Sequence, residues 1–227
     1  LARIASFRVL HLAQLDKRSR RVAWSETLRP GVPVRVEVTC TRSRIYHSDA
    51  AAERIARAIR EELGAPVDDD AGLCVRARIE NDVCTISIDT SGDLLHKRGH
   101  KQAVAKAPMR ETMAALFLRE MGFDGRMPVL DPMCGSGTFV IEAASIAAGL
   151  YPGRSRSFAF EHLATFDANA WHSLRDTEEP RDPGVRFYGS DKDAGAVRMC
   201  RANAERAGVA RLTAFEEQPF AQLTRPD

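Results

Sequence analysis

The 227 residues are 44% hydrophobic and 28% charged, with a net charge of only +2. That is the balance of an ordinary globular chain, and the chain as a whole is no polycation. No apolar run approaches the ~20 residues a membrane-crossing helix needs. No signal peptide is visible in a chain that opens on Leu1, a start that suggests an incomplete amino terminus.

Residues 1–95 read as short strands around one helix. Val34–Val38 alternates with period two after the Pro30-Gly31 turn, as a half-buried strand does. Asp49–Leu63 repeats Ala50, Ile55, Ala58, Ile59 and Leu63 near a 3.6-residue period, and Gly64 stops it. Val75–Ile79 and Cys84–Ile88 are alternating strands with Asn81-Asp82 between them, a hairpin pattern. Basic residues cluster at Lys17, Arg18, Arg20 and Arg21, at Arg42 and Arg44, and at Lys97, Arg98 and Lys101, which suits a phosphate backbone as well as a solvated surface.

Residues 96–107 are basic and weakly patterned, the character of a linker, and this places His96 and His100 on the surface. Pro108 is placed to open a helix running through Met121, with Met113, Leu116, Phe117 and Glu120 along it. Pro128–Asp131 is a short buried strand, followed by a glycine turn and a helix from Thr138 to Ala148 closed by Gly149. A loop-rich stretch, 151–184, holds Arg154, Arg156, Phe160 and Trp171. Then come a strand at Val185–Ser190 ending at Asp191, a helix at Ala194–Ala207 stopped by Gly208, and a strand at Leu212–Phe215. Strand and helix alternate as in a parallel sheet with right-handed crossovers. The five cysteines (Cys40, Cys74, Cys84, Cys134, Cys200) show no Cys-x-x-Cys or His-pair spacing, so no metal site is expected, and the odd, scattered set points to reduced thiols in the cytoplasm.

The strongest signal is Asp131-Pro-Met-Cys-Gly-Ser-Gly-Thr138, between a hydrophobic strand and a hydrophobic helix. Gly135 and Gly137 let the backbone bend and lie against a ligand at the carboxyl end of the sheet. Dinucleotides, nucleoside triphosphates and S-adenosylmethionine all use such a corner. Val140 stands where a dinucleotide fingerprint needs its third glycine, and the turn lacks the lysine of a P-loop. Asp131 would repel pyrophosphate but suits an ammonium group, and Asp191 at the end of the next strand can take ribose hydroxyls. Cys134 has no patterned base beside it and reads as a packing residue.

This string, with Ile141-Glu-Ala-Ala144, Asp89-Thr-Ser-Gly-Asp93, Leu95-His-Lys-Arg-Gly99, Ala107-Pro-Met-Arg-Glu-Thr112 and Gly189-Ser-Asp-Lys-Asp193, resembles the THUMP-containing guanine-N2 RNA methyltransferases, in particular the bacterial enzymes that act on large-subunit ribosomal RNA. The resemblance implies an α/β fold: an N-terminal THUMP-like RNA-binding module over 1–95, a linker over 96–107, and a Rossmann-like class I methyltransferase domain over 108–227, truncated before its fourth strand. It implies S-adenosylmethionine as cofactor, held by Asp131, Pro132, Cys134, Gly135, Gly137 and Thr138 on the methionine side and by Asp191 at the ribose. Gln218 stands near the adenine, where the family carries an acid. The Pro108–Thr112 segment would pack beside the cofactor. Arg42, Arg44, Lys97, Arg98 and Lys101 are the expected contacts to large-subunit ribosomal RNA.

The family's catalytic Asn-Pro-Pro-Tyr does not occur in the chain, which stops at Asp227, so that motif is expected beyond it and the chain reads as a fragment of a longer product, inactive alone. Such groups matter because an exocyclic base nitrogen is a weak nucleophile that must be oriented and relieved of developing charge. Alternative readings are a non-catalytic RNA- and cofactor-binding fragment, a DNA adenine-N6 methylase, and a nicotinamide-dependent oxidoreductase, the last disfavoured by Val140 and Asp131.

Overall fold

The computed structural model describes residues 1–102, 108–176 and 180–224, which divide into two compact units. The first comprises Leu1–Asp93 and Ser157–Asn169; the second comprises Leu94–Arg156 and the residues from Ala170 onward.

The first unit is a four-stranded sheet with two helices. Its strands are β1 (Ala2–Arg8), β2 (Val34–Thr41), β3 (Leu73–Glu80) and β4 (Val83–Asp89), in the order β1-β4-β3-β2. β2 and β3 run parallel, with Val36 opposite Val75; the other pairings are antiparallel, with Ala77 opposite Ile86 and Phe7 opposite Cys84. Asn81 and Asp82 both take positive φ (49° and 63°), so the hairpin closes on two residues in the twist that suits flanking strands. Helix α2 (Ser48–Leu63) buries Ile55, Ala58 and Ile59 and ends on Gly64 at φ 75°. Its partner α1 (Leu12–Ser19), together with β1, adds to the single helix expected from the sequence. Trp24 fills the core and donates its indole N–H to the Ser19 carbonyl at 2.9 Å, so its one polar atom is satisfied.

Ser157–Asn169 belongs to this unit rather than to a free loop. The Phe160 N–H donates to the Thr90 carbonyl (3.0 Å), the Ala164 N–H donates to the Thr27 carbonyl (2.9 Å), and Ala159 and Leu163 join the core.

The second unit contains a parallel sheet of β5 (Val129–Asp131), β6 (Phe187–Asp191) and β7 (Thr213–Glu217), in that order. Helices α4 (Thr138–Ala147) and α6 (Ala194–Arg206) connect its strands and bury Val140, Ile141, Ala144, Val197 and Cys200 around Phe187 and Phe215. Helix α5 (Ala168–Asp176) lies within the stretch read as loop, and Arg175 stands 5.5 Å over the Trp171 ring.

Helix α3 (Glu111–Glu120) begins three residues later than Pro108 would place it, because Arg110 has extended ψ (137°). Its expected apolar stripe is also turned outward: Met113, Leu116 and Phe117 are exposed, while Glu111, Ala114 and Leu118 are buried. The described part of the supposed linker is likewise built into the second unit. Arg98 and His100 are buried, and the Arg206 guanidinium donates to the His100 carbonyl at 2.8 Å. Among the described residues no helix is long and apolar enough to cross a membrane, and no group of His, Cys, Asp and Glu could hold a metal ion.

Candidate functional site

β5 and β6 end side by side, with Asp131 opposite Gly189 and Asp191 two residues further along. The chain leaves β5 through a turn fixed by backbone bonds. The Cys134 N–H donates to the Ser190 carbonyl (2.9 Å), and the Gly137 N–H donates to the Cys134 carbonyl (2.7 Å). Gly135 and Gly137 sit at φ 54° and 81°, in the left-handed region where a Cβ is strained. They differ in what surrounds them. A Cβ on Gly137 would stand 3.1 Å from the Cys200 sulfur, whereas one on Gly135 would meet nothing within 4 Å. Gly137 is therefore a packing glycine that starts α4, and Gly135 presents an open backbone face.

Asp191 ties the two strand ends together. One carboxylate oxygen accepts from the Gly135 N–H and the other from the Asp193 N–H, each at 3.0 Å. Its own carbonyl accepts from the Gln218 N–H at 3.0 Å, which brings the end of β7 to the same corner. The Gln218 side-chain amide donates to the Gln222 carbonyl at 2.8 Å. Asp131 accepts from the Met133 N–H at 3.1 Å. Burial holds the Asp131 carboxyl above its ordinary value against that bond, and the nearby Asp191 charge adds to the effect.

A cavity of about 460 Å³ opens over this turn, lined by Asp131, Pro132, Cys134, Gly135 and Thr138 together with Pro108 and Met109. Five of the eight residues expected at a cofactor thus share one cavity. Gly137, Asp191 and Gln218 lie behind or beside it and shape the turn. Cys134 is buried, its Sγ 3.7 Å from that of Cys200, and the Cys200 thiol donates to the Gly135 carbonyl at 3.1 Å. The contact with the Cys200 thiol, and then burial, push the Cys134 thiol far up, so it is no nucleophile.

Two of the expected RNA contacts are internal. Arg98 faces Glu142 with Nε 2.8 Å from Oε1 and Nη2 donating to Oε2 at 3.0 Å, and both side chains are buried. Lys101 donates to the Met109 carbonyl (2.6 Å) and the Thr138 hydroxyl (3.0 Å), with Glu111 at 3.6 Å. Charges so enclosed cannot meet a phosphate. Arg42, Arg44 and Lys97 are exposed. Arg154 donates to the Ala207 carbonyl and Arg156 to the Leu94 carbonyl, so both brace the second unit.

Three residues have supporting roles that the sequence reading did not assign them. A Cβ on Gly189 would lie 2.8 Å from the Phe215 ring and 3.1 Å from the Cys134 Cβ, so only glycine lets β6 pass behind the turn. Asn203, fully buried on α6, donates to the Ser136 carbonyl at 3.1 Å. An asparagine inside a helix competes for backbone bonds, and that was the available signal. Lys101 joins the segment before α3 to the start of α4, which no local pattern reveals.

Residues 98–227 match the family model described as "RMKL-like, methyltransferase domain", and residues 11–89 match the THUMP domain. Solved structures similar to this chain include a predicted N6-adenine-specific DNA methylase from Listeria monocytogenes (27% identity, TM-score 0.85) and a possible methylase from Clostridium difficile 630 (31% identity, TM-score 0.79). A third is SMU.472, solved as a complex with SAH (26% identity, TM-score 0.82). Each is matched over 99% of this chain and 62% of its own length, so the present chain spans less than two thirds of these relatives. The first unit thus has the THUMP fold and the second a Rossmann-like methyltransferase fold, and the chain belongs to the THUMP-bearing RMKL-like methyltransferase family.

Proposed function

We propose that this chain is the RNA-recognition and cofactor-binding part of an S-adenosylmethionine-dependent methyltransferase that modifies the exocyclic N2 of a guanine in large-subunit ribosomal RNA. The observation that carries this reading is the corner itself: a desolvated carboxylate, Asp131, beside a glycine whose open face lines a cavity. A half-buried carboxylate held above its ordinary value by desolvation lacks a cation, and a ligand ammonium supplies one. A phosphate would meet two acids instead. Asp131 holds the ammonium, with Pro132, Cys134, Gly135 and Thr138 around the methionine portion and Gly137 shaping the turn behind them. Asp191 offers its remaining lone pairs to the ribose hydroxyls, and the Gln218 amide stands at the adenine.

When bound, the sulfonium supplies an electrophilic methyl carbon. The residues of this chain bind and orient it. Lys101 keeps Met109 and Thr138 at the cavity wall, and the buried thiol of Cys134 packs the turn without taking part in chemistry. The THUMP module brings the RNA, with Arg42, Arg44 and Lys97 as exposed cations.

Two measurements test the proposal. Calorimetric titration of the chain should show one S-adenosylhomocysteine bound and no NAD. Deleting the gene in its host should remove an N2-methylguanosine from digested large-subunit RNA. Retention of every N2-methylguanosine, or loss of N6-methyladenine from DNA instead, overturns the substrate assignment.

A further inference from the structure

The basic cluster at the start of the chain divides in two on folding. Arg20 is consumed within the first unit: it pairs with Asp16 at 3.2 Å, Glu62 at 3.1 Å and Glu61. Asp16 is claimed a second time by Arg57 at 2.6 Å. These groups occupy the side of α1 that packs on α2. Lys17, Arg18 and Arg21 recur at helical spacing on another side, with Gln14 one turn earlier. Among the described residues none of the three has an ion-pair partner.

They stand over a groove of about 620 Å³ between α1 and the edge strand β1. Its floor is apolar, formed by Ile4, Phe7 and Val22, and its lining includes no Asp or Glu. Three cations clustered without acids raise one another's electrostatic cost, and the half-buried floor beneath them keeps part of its apolar surface open to a partner. Cations in a row above apolar and aromatic surface suit a strand that alternates phosphates with flat bases.

We propose that this groove grips a single-stranded segment of the RNA substrate: Lys17, Arg18 and Arg21 meet consecutive phosphates, and the Ile4–Phe7–Val22 floor receives an unstacked base. The inference rests on the RNA-methyltransferase reading and names the surface by which that substrate is held. It differs from the cations at Arg42 and Arg44, which lie past the end of β2.

The test is fluorescence anisotropy of a labelled single-stranded 12-nucleotide RNA with the 227-residue chain. The comparison variant combines Lys17→Gln, Arg18→Gln and Arg21→Gln. A control of equal charge loss combines Arg119→Gln, Arg186→Gln and Arg211→Gln, all exposed in the second unit. Circular dichroism melts confirm that both variants fold. The groove variant should lose at least about tenfold in affinity, and its log Kd against log salt slope should fall by about 2, since each phosphate contact on a single strand contributes ~0.7. The control should stay within about threefold of the parent. If the parent binds RNA but the groove variant binds equally well, or the control loses as much, the groove is refuted and the methyltransferase reading stands. If the parent binds no RNA, or binds an acidic peptide more tightly, RNA recognition by this module falls and the groove proposal with it. Loss of S-adenosylhomocysteine binding is a separate result that touches only the cofactor site.

Discussion

Asp191 at the end of β6 accepts the backbone N–H of Gly135 at 3.0 Å, although 56 residues separate them. One carboxylate thereby sets the curvature of the glycine turn before any ligand arrives, since its second oxygen accepts from Asp193. Asp191→Ala should remove both acceptors and leave two turn N–H groups to water. The expected loss is about 2 kcal/mol of stability, in the range for hydrogen bonds to a charged group. S-adenosylhomocysteine affinity should fall by at least tenfold, because the turn and the proposed ribose partner go together. Thermal melts and calorimetry read the two effects separately. Unchanged affinity would detach Asp191 from the cofactor.

Asp131 carries the opposite trade. Its folded carboxyl lies above its ordinary value, so the folded state binds its proton more readily than the unfolded chain does. The stabilisation this gives is present below the unfolded value and is lost as pH rises through the folded one. At neutral pH the ionised group therefore weakens the ligand-free fold. Asp131→Asn should raise the melting temperature of the ligand-free chain and depress S-adenosylhomocysteine binding at least tenfold. A variant that melts lower, or binds as before, would contradict an acid kept in waiting for a cation.

The parts of this arrangement legible in the sequence are those whose signal is local. The Asn81-Asp82 hairpin, the Gly64 stop and the glycine turn each need a special backbone conformation, and the residue type announces it. The parts not legible depend on distant partners. Met113, Leu116 and Phe117 look like a buried stripe, yet α3 turns Ala114 and Leu118 inward, since Lys101 makes the burial of Glu111 tolerable. Ser157–Asn169 reads as loop because the surface that receives Ala159 and Leu163 comes from the first 93 residues. β1 was missed because a register shift between Arg3 and Ala5 breaks its alternation. Arg98 and Lys101 read as solvated because nothing in a run of charges marks which of them will find an acid.

Gly189 illustrates a long-range demand made by one atom. It lies in a strand, where a glycine ordinarily weakens the structure, and the Phe215 ring leaves no room for a Cβ. Gly189→Ala should force Phe215 or the Cys134 turn aside and cost roughly 1–3 kcal/mol, as overpacking does. Gly135→Ala meets no neighbour but takes the strain of φ 54°. Its penalty should be smaller in stability and larger in cofactor affinity, so denaturant titration and calorimetry should rank the two variants in opposite orders.

His100 should set part of the acid sensitivity. It is buried among Arg98, Lys101, Arg154 and Arg206, and burial followed by these charges lowers its imidazole to about 4. Because the unfolded chain takes up the proton near 6.5, stability falls as pH drops from 6.5 toward 4. By pH 5 the loss relative to pH 7.5 should be roughly 2 kcal/mol. Glu142, raised by burial, pulls the other way on acidification. The difference between parent and His100→Gln isolates the histidine: the variant should lose less stability between pH 7.5 and 5. Parallel pH profiles would show that His100 protonates as freely in the fold as outside it.

Arg98 and Glu142 supply the sharpest test of how the second unit is assembled. Their contact is bidentate in distance, with Nε and Nη2 facing the two carboxylate oxygens, and both side chains are under 10% exposed. Burial raises Glu142 in spite of Arg98, which marks the pair as one whose desolvation is only partly offset. Removing one partner strands the other charge. Arg98→Met should therefore cost about 3–5 kcal/mol, enough to unfold a marginal unit at physiological temperature. Replacing both, as Arg98→Met with Glu142→Met, should restore most of that loss, because two apolar chains of similar length fill the space without a charge. If the double variant is as unstable as the single one, the pair contributes more than mutual neutralisation. If Arg98→Met is nearly neutral, the guanidinium is not needed to keep Glu142 inside α4.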